Sequence, residues 1–168
     1  MSLSDVLDVV SSVALVAGGL FAAYQLVELR RQRRREAIID LVRSFQSGEF
    51  TAALAAVNSL PDDADLATIR RTLGDDGRDR VFLVGLTWES LGVLVFRREV
   101  DMATVDDFFS GAISISWVKL RAFVEEDRRL LGRATVWEWF QWLAERMTER
   151  ESGTTPVPAH VAYRDWKP

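Results

Sequence analysis

Cysteine is absent from these 168 residues, and histidine occurs once, at His160. Without a thiol there is no disulfide, no thiolate metal site and no cysteine nucleophile. A single imidazole, placed in a proline-containing tail, reads as a solvated residue and leaves no nucleophile–base pair or zinc cluster. No glycine-rich phosphate loop occurs, because Gly74 and Gly77 flank Asp75 and Asp76, whose charge repels phosphate. No alternating apolar run carries hairpin residues, so strands are not expected. A basic surplus is lacking as well. Beyond Arg35, 16 basic and 22 acidic residues remain, about −6, which argues against nucleic-acid binding by counterion release. These absences point to no cofactor, no metal and no enzymatic role.

One long uncharged run is present. From Val9 to Val27 there is no charged residue, and nine of these 19 positions are Val, Leu or Phe. A helix of that length spans roughly 28 Å, close to the ~30 Å hydrocarbon core of a bilayer. Asp5 and Asp8 precede the run; Arg30, Arg31, Arg33, Arg34 and Arg35 follow it. That asymmetry places the C-terminal side in the cytoplasm and sets the arginines against lipid headgroups. A cleaved signal peptide carries its basic residues before the apolar stretch, the opposite order. Ser11, Ala14, Gly18 and Ala22, with Gln25, recur every three or four residues and form a small-residue seam suited to helix pairing in a membrane. Lysine occurs only at Lys119 and Lys167 among the 21 basic residues, an arginine bias that points to a GC-rich bacterial genome.

The rest reads as helical. Residues 1–8 form a short extracytoplasmic N-terminus, 9–29 the transmembrane helix, and 30–47 a basic juxtamembrane helix. Residues 48–150 form a cytoplasmic helical domain, and 151–168 an extended tail. The anchor is expected to continue unbroken through Ile38, Leu41, Val42 and Phe45 and to stop at Gly48. A short helix follows over 50–58. Asp62, Asp63 and Asp65 are expected to cap and charge the first turn of a helix ending near Gly74, rather than to bind metal. The most apolar segment, VFLVGLTWESLGVLVF, presents Val81, Val84, Trp88, Leu91 and Val95 as one stripe, with further apolar residues around it, the mark of a central core helix. Capping boxes are expected at Thr104 with Asp107 and at Thr135 with Glu138. The last helix has an inner stripe of Val136, Phe140, Leu143 and Met147. The fold class is thus all-α: one transmembrane helix continuing into a small cytoplasmic bundle.

Two features stand apart. Glu89 sits in the middle of the core helix, where a carboxylate needs a partner; Arg128 is the expected one, in a buried ion pair, with Lys119 and Arg121 as alternatives. Trp137, Trp139 and Trp142 cannot all face one narrow core, since the first two lie about 200° apart around a helix. The three together are a candidate partner surface.

The motifs LTWESLGVLVF, REVDMATVDDFF, SWVKLRAFVEEDRR and FQWLAERM, behind a membrane helix with a basic exit, resemble a family of small uncharacterised bacterial membrane proteins classed as a domain of unknown function. The resemblance covers roughly residues 5–150; it implies the architecture and carries no activity over to this chain. The expected function is therefore that of a single-pass, non-enzymatic accessory or scaffold subunit of a membrane complex in the bacterial cytoplasmic membrane, with its N-terminus outside. Its partners would be lipids and further membrane-protein subunits or copies of itself. The alternative is a membrane-tethered regulator or sensor acting through self-association, and a more distant one an enzyme using Glu89.

Overall fold

The computed structural model describes residues 18–19, 21–26, 28–29, 42–43, 45, 47–153 and 157–167. The chain forms two compact units, Met1–Arg43 and Ser44–Pro168. In the first, the described residues between 18 and 29 are helical, and Phe21, Tyr24, Leu26 and Leu29 are exposed. Among the described residues no helix is long and apolar enough to cross a membrane. Most of the expected anchor, including Ser11 and Ala14, lies outside the described residues, as do Arg30, Arg31, Arg33, Arg34 and Arg35. Gly18 and Ala22 of the expected seam are described and exposed.

The second unit is built from helices alone among its described residues: α1 (Gly48–Asn58), α2 (Leu66–Leu73), α3 (Gly77–Phe96), α4 (Met102–Leu131), α5 (Glu138–Ser152) and the single turn α6 (Ala159–Ala162). Gly48, expected to stop a helix, instead opens one. Ser47 in front of it has extended backbone and accepts the Phe50 N–H, as a serine N-cap does. Asp101, one residue before Met102, caps α4 by accepting both the N–H and the hydroxyl of Thr104. The expected Thr104–Asp107 box is displaced because Asp101 reaches those donors first. Both Asp101 and Asp65, the α2 cap, are held below the usual carboxylate range by their hydrogen bonds to Thr104 and Thr68. In the tail, α6 replaces the fully extended chain.

The four longer helices form a bundle. Phe50 at the start of α1 meets Trp88 late in α3, and Phe82 early in α3 meets Phe123 late in α4. Asp127 and Asp106 of α4 meet Trp137 and Arg150 at the two ends of α5. Thus α1 and α4 run one way, α3 and α5 the other. The stripes Val81–Val84–Trp88–Leu91–Val95 and Phe140–Leu143–Met147 are buried as their 3.6-residue period requires. Phe45 joins this core, stacked on Trp88 with ring centroids 5.1 Å apart and 4.1 Å from Phe109. Leu86 and Phe96, by contrast, are exposed, so α3 has one open edge rather than a fully covered surface.

The acidic turn between α1 and α2 clamps onto α4. The N–H groups of Asp63 and Ala64 donate to the Val118 and Lys119 carbonyls at 2.9 and 2.8 Å. Asp62 pairs with Lys119 at 2.7 Å, and Asp63 receives two hydrogen bonds from Arg121. Glu126 of α4 accepts the Leu66 N–H and so caps α2 from outside, beside Asp65. Asp62 and Asp63 are therefore clamps, and only Asp65 is a cap.

Helix α3 and the first turn of α5 approach each other closely. A Cβ at Gly92 would lie 2.5 Å from the Trp139 carbonyl oxygen, an atom held by its helix. Gly92→Ala is expected to cost about 1–3 kcal/mol through forced helix displacement. Gly48→Ala, where a Cβ meets nothing within 4 Å, should be neutral or gain up to ~1 kcal/mol. Urea denaturation followed by tryptophan fluorescence compares them, and equal effects would mean that α3 and α5 are not in backbone contact.

Candidate interaction surfaces

Helix α5 begins without a local cap. Trp137, the residue before it, adopts a left-handed conformation at φ 59° and makes no side-chain cap. Such a conformation costs an aromatic residue on the order of 1 kcal/mol and persists only where packing fixes it. Here the indole rests on Gly85, where a Cβ would come within 2.9 Å of the ring. Phe82 and Phe123 flank it edge-on and tilted, with centroids at 5.2 and 6.3 Å. Its Nε1–H donates to the buried Asp127 carboxylate at 2.9 Å. Trp137 is thus a buried anchor and not part of a partner surface.

The expected Glu89–Arg128 ion pair is not formed; each residue instead serves a different side of the same helix start. The Glu89 carboxylate accepts the Phe140 N–H at 2.7 Å and caps α5 from α3. Arg128 donates to the Val136 carbonyl, the Trp137 carbonyl and the Gln141 side chain. The first-turn N–H groups of a helix attract a carboxylate, and the carbonyls before it attract a guanidinium, so both charges find backbone partners nearer than each other. Lys119 and Arg121, the alternative partners, are engaged by Asp62 and Asp63. Thr135 lies in the turn before α5, and the expected Thr135–Glu138 box is replaced by this cap from α3. Desolvation pushes the Glu89 carboxyl above its ordinary range; the N–H groups of Phe140 and Trp139 offset part of that rise, nearby Glu138 adds to it, and Arg128 makes a small opposing contribution.

Gly85, Glu89 and Gly92 lie on one face of α3 and form a seat for α5: a ring against the first, a cap from the second, a carbonyl on the third. The seat leaves the next aromatic residues outside. Trp139 and Trp142 are half-buried, and Phe96 is 58 % exposed. Their rings form a continuous group, with Phe96 4.6 Å from Trp139 and 6.1 Å from Trp142. Directly after Phe96 come Arg97 and Arg98, both exposed and in no side-chain hydrogen bond or ion pair among the described residues.

A second apolar surface runs along α4. Phe108, Gly111, Ile115 and Val118 recur every three or four residues and are all exposed, opposite the core face of Ile113, Ser116 and Leu120. This outer stripe has the same helical period as the inner one. Between α1 and α3 lies an open groove of about 350 Å³ whose polar wall is Glu49, Asp76, Asp79 and Arg80. Among the described residues no group of His, Cys, Asp or Glu is arranged to hold a metal ion.

Two expectations follow for the seat. Because burial raises the folded pKa of Glu89, the folded state holds its proton more tightly than the unfolded chain. Stability from this group is present at low pH and lost as pH rises from the ordinary value of 4.5 through the raised folded one. The stability of the native chain relative to Glu89→Gln should therefore fall over that window, and a difference that grows with pH would contradict the desolvation account. Trp137→Phe keeps an aromatic ring, though a smaller one, and leaves the Asp127 carboxylate without its indole donor, at an expected cost of about 1–3 kcal/mol. Adding Asp127→Leu should recover part of that loss, as measured by denaturation of both variants.

No curated protein and no solved structure matches the chain. A family model described as a domain of unknown function (DUF4760) does, over residues 12–147. That span takes in the apolar N-terminal run from residue 12 onward, the α3 seat and α5 as far as Met147, its last core residue. The chain is a member of the DUF4760 family, a domain of unknown function.

Proposed function

We propose that this chain is a membrane-tethered, non-enzymatic interaction protein, an accessory or scaffold subunit held in the bacterial cytoplasmic membrane with its helical domain in the cytoplasm. The observation that carries the reading is the apolar surface of the N-terminal helix. Phe21, Tyr24 and Leu26 are 62, 67 and 53 % exposed, on the uncharged run that precedes the arginine cluster. A helix that exposes large apolar side chains is stable where lipid or another helix surrounds it.

Two further observations support it. Glu89 is engaged as a helix cap, a use that gives the mid-helix carboxylate a structural reason. The α4 stripe around Ile115 supplies an exposed apolar strip with which a protein partner can pack. The tether fixes where the domain works, and the stripe is the surface offered to another subunit.

The full chain should stay in the membrane fraction after an alkaline carbonate wash. Leu15→Arg combined with Leu20→Arg should abolish that retention, because each arginine at mid-span costs about 2.5–3.5 kcal/mol of insertion. A partner subunit should co-purify stoichiometrically in mild detergent and be lost with Ile115→Arg while helicity is unchanged. Carbonate-soluble native protein would sink the tether, and a lone native monomer would sink the scaffold.

A further inference from the structure

Helix α3 ends in a Schellman motif. Arg98 N–H donates to the Val95 carbonyl and Glu99 N–H to the Leu94 carbonyl, both at 2.9 Å. The residue at the turn of this motif is left-handed, and glycine is the usual occupant. Here it is Arg98, at φ 60°. An L-residue is strained in that conformation, and Arg98 makes no side-chain hydrogen bond or ion pair among the described residues that would compensate. Glycine would relieve that strain, so the fold of the domain does not itself call for an arginine at this position.

The surroundings of Arg98 define a partner. Arg98 and Arg97 adjoin the exposed Phe96, whose ring packs on Trp139 and Trp142. Of the acids at this corner, Asp101 is engaged by Thr104, leaving Glu99. Large aromatics beside free arginines are the side chains that settle at a bilayer's headgroup level, rings among the ester groups and guanidinium on phosphate. Within this unit Phe45 stacks on Trp88, and Phe96 is about two turns further along α3.

We propose that the Phe96–Arg97–Arg98 corner, with Trp139 and Trp142, is a second, peripheral membrane contact that docks on anionic phospholipid headgroups. It rests on the tether reading: a tethered domain meets the surface at high effective concentration, so a contact too weak to bind alone suffices to orient it. The α4 stripe is thereby left free for a protein.

The absence of cysteine makes the test direct. Full-length protein carrying Glu99→Cys, or Ala134→Cys in the turn before α5, is labelled with a fluorophore and reconstituted in phosphatidylcholine vesicles with or without phosphatidylglycerol. Flotation reports the tether, and quenching by spin-labelled lipid reports the corner. The label at 99 should be quenched, more strongly with phosphatidylglycerol, while that at 134 is not. Arg97→Ser with Arg98→Ser should lower the quenching roughly twofold or more. Arg98→Gly should lower it too, yet raise the unfolding midpoint by about 2–5 °C as the strain is relieved. Floating protein whose label at 99 behaves like that at 134 overturns the proposal and leaves the tether standing, whereas protein that does not float removes both. A label at 99 shielded from water by a co-purified protein, with no lipid quenching, also overturns it.

Discussion

The start of α5 is the constraint on which the bundle turns. A helix beginning with a left-handed tryptophan has no side chain of its own to satisfy its first N–H groups. Those donors must then be met from elsewhere, because buried amides left unpaired are costly. Glu89 meets one from α3, while Arg128 holds the preceding carbonyls from α4 and Asp127 holds the indole. Three helices are thereby locked to one turn of chain. Sliding α5 by one residue would drive a side chain into Gly85 or the Trp139 carbonyl off Gly92, and would uncap Phe140. The register of α3 against α5 follows from this one corner.

The same logic recurs at α2, which is capped by its own Asp65 and by Glu126 from the neighbouring α4. Short helices have little propensity to persist alone, and α2 has eight residues. Its N-terminus is fastened to α4 by the Asp62 and Asp63 clamps, with Ala64 and Leu60 buried beneath the turn. In this acidic domain several carboxylates thus act as internal acceptors, which is why clusters that look like ligand sites in sequence are structural in place.

What was legible in the sequence, and what was not, divides along local and non-local lines. The inner stripes of α3 and α5 were legible because burial has the period of the helix that carries it. The core role of Trp88 and the placement of Phe140, Leu143 and Met147 follow from spacing alone. Caps were less legible, since a Thr-x-x-Glu or Thr-x-x-Asp pattern competes with any carboxylate that reaches the same donors. Asp101 won locally and Glu89 from 51 residues away. The partner of Glu89 was misjudged for the same reason: charge suggested an arginine, but a helix N-terminus is also a positive site. Trp137 was grouped with Trp139 and Trp142 as a candidate partner surface, whereas this left-handed residue lies before α5 and its ring is buried.

The outer surfaces carry a different kind of information. A core position is explained once its neighbours are known, and Gly85, Glu89 and Gly92 are explained in that way. Ile115 and Arg98 are not, because both are exposed and Arg98 makes no side-chain hydrogen bond or ion pair among the described residues. Arg98 is the clearest, since glycine would remove its backbone strain. The family match extends from the apolar N-terminal run to the last core residue of α5, so the two units are matched as one. The helical domain presents a strained arginine beside aromatic rings near one end and an apolar stripe along one side. Backbone strain and an unburied apolar row are both costs to the isolated fold, so the packing that explains the core does not account for either face.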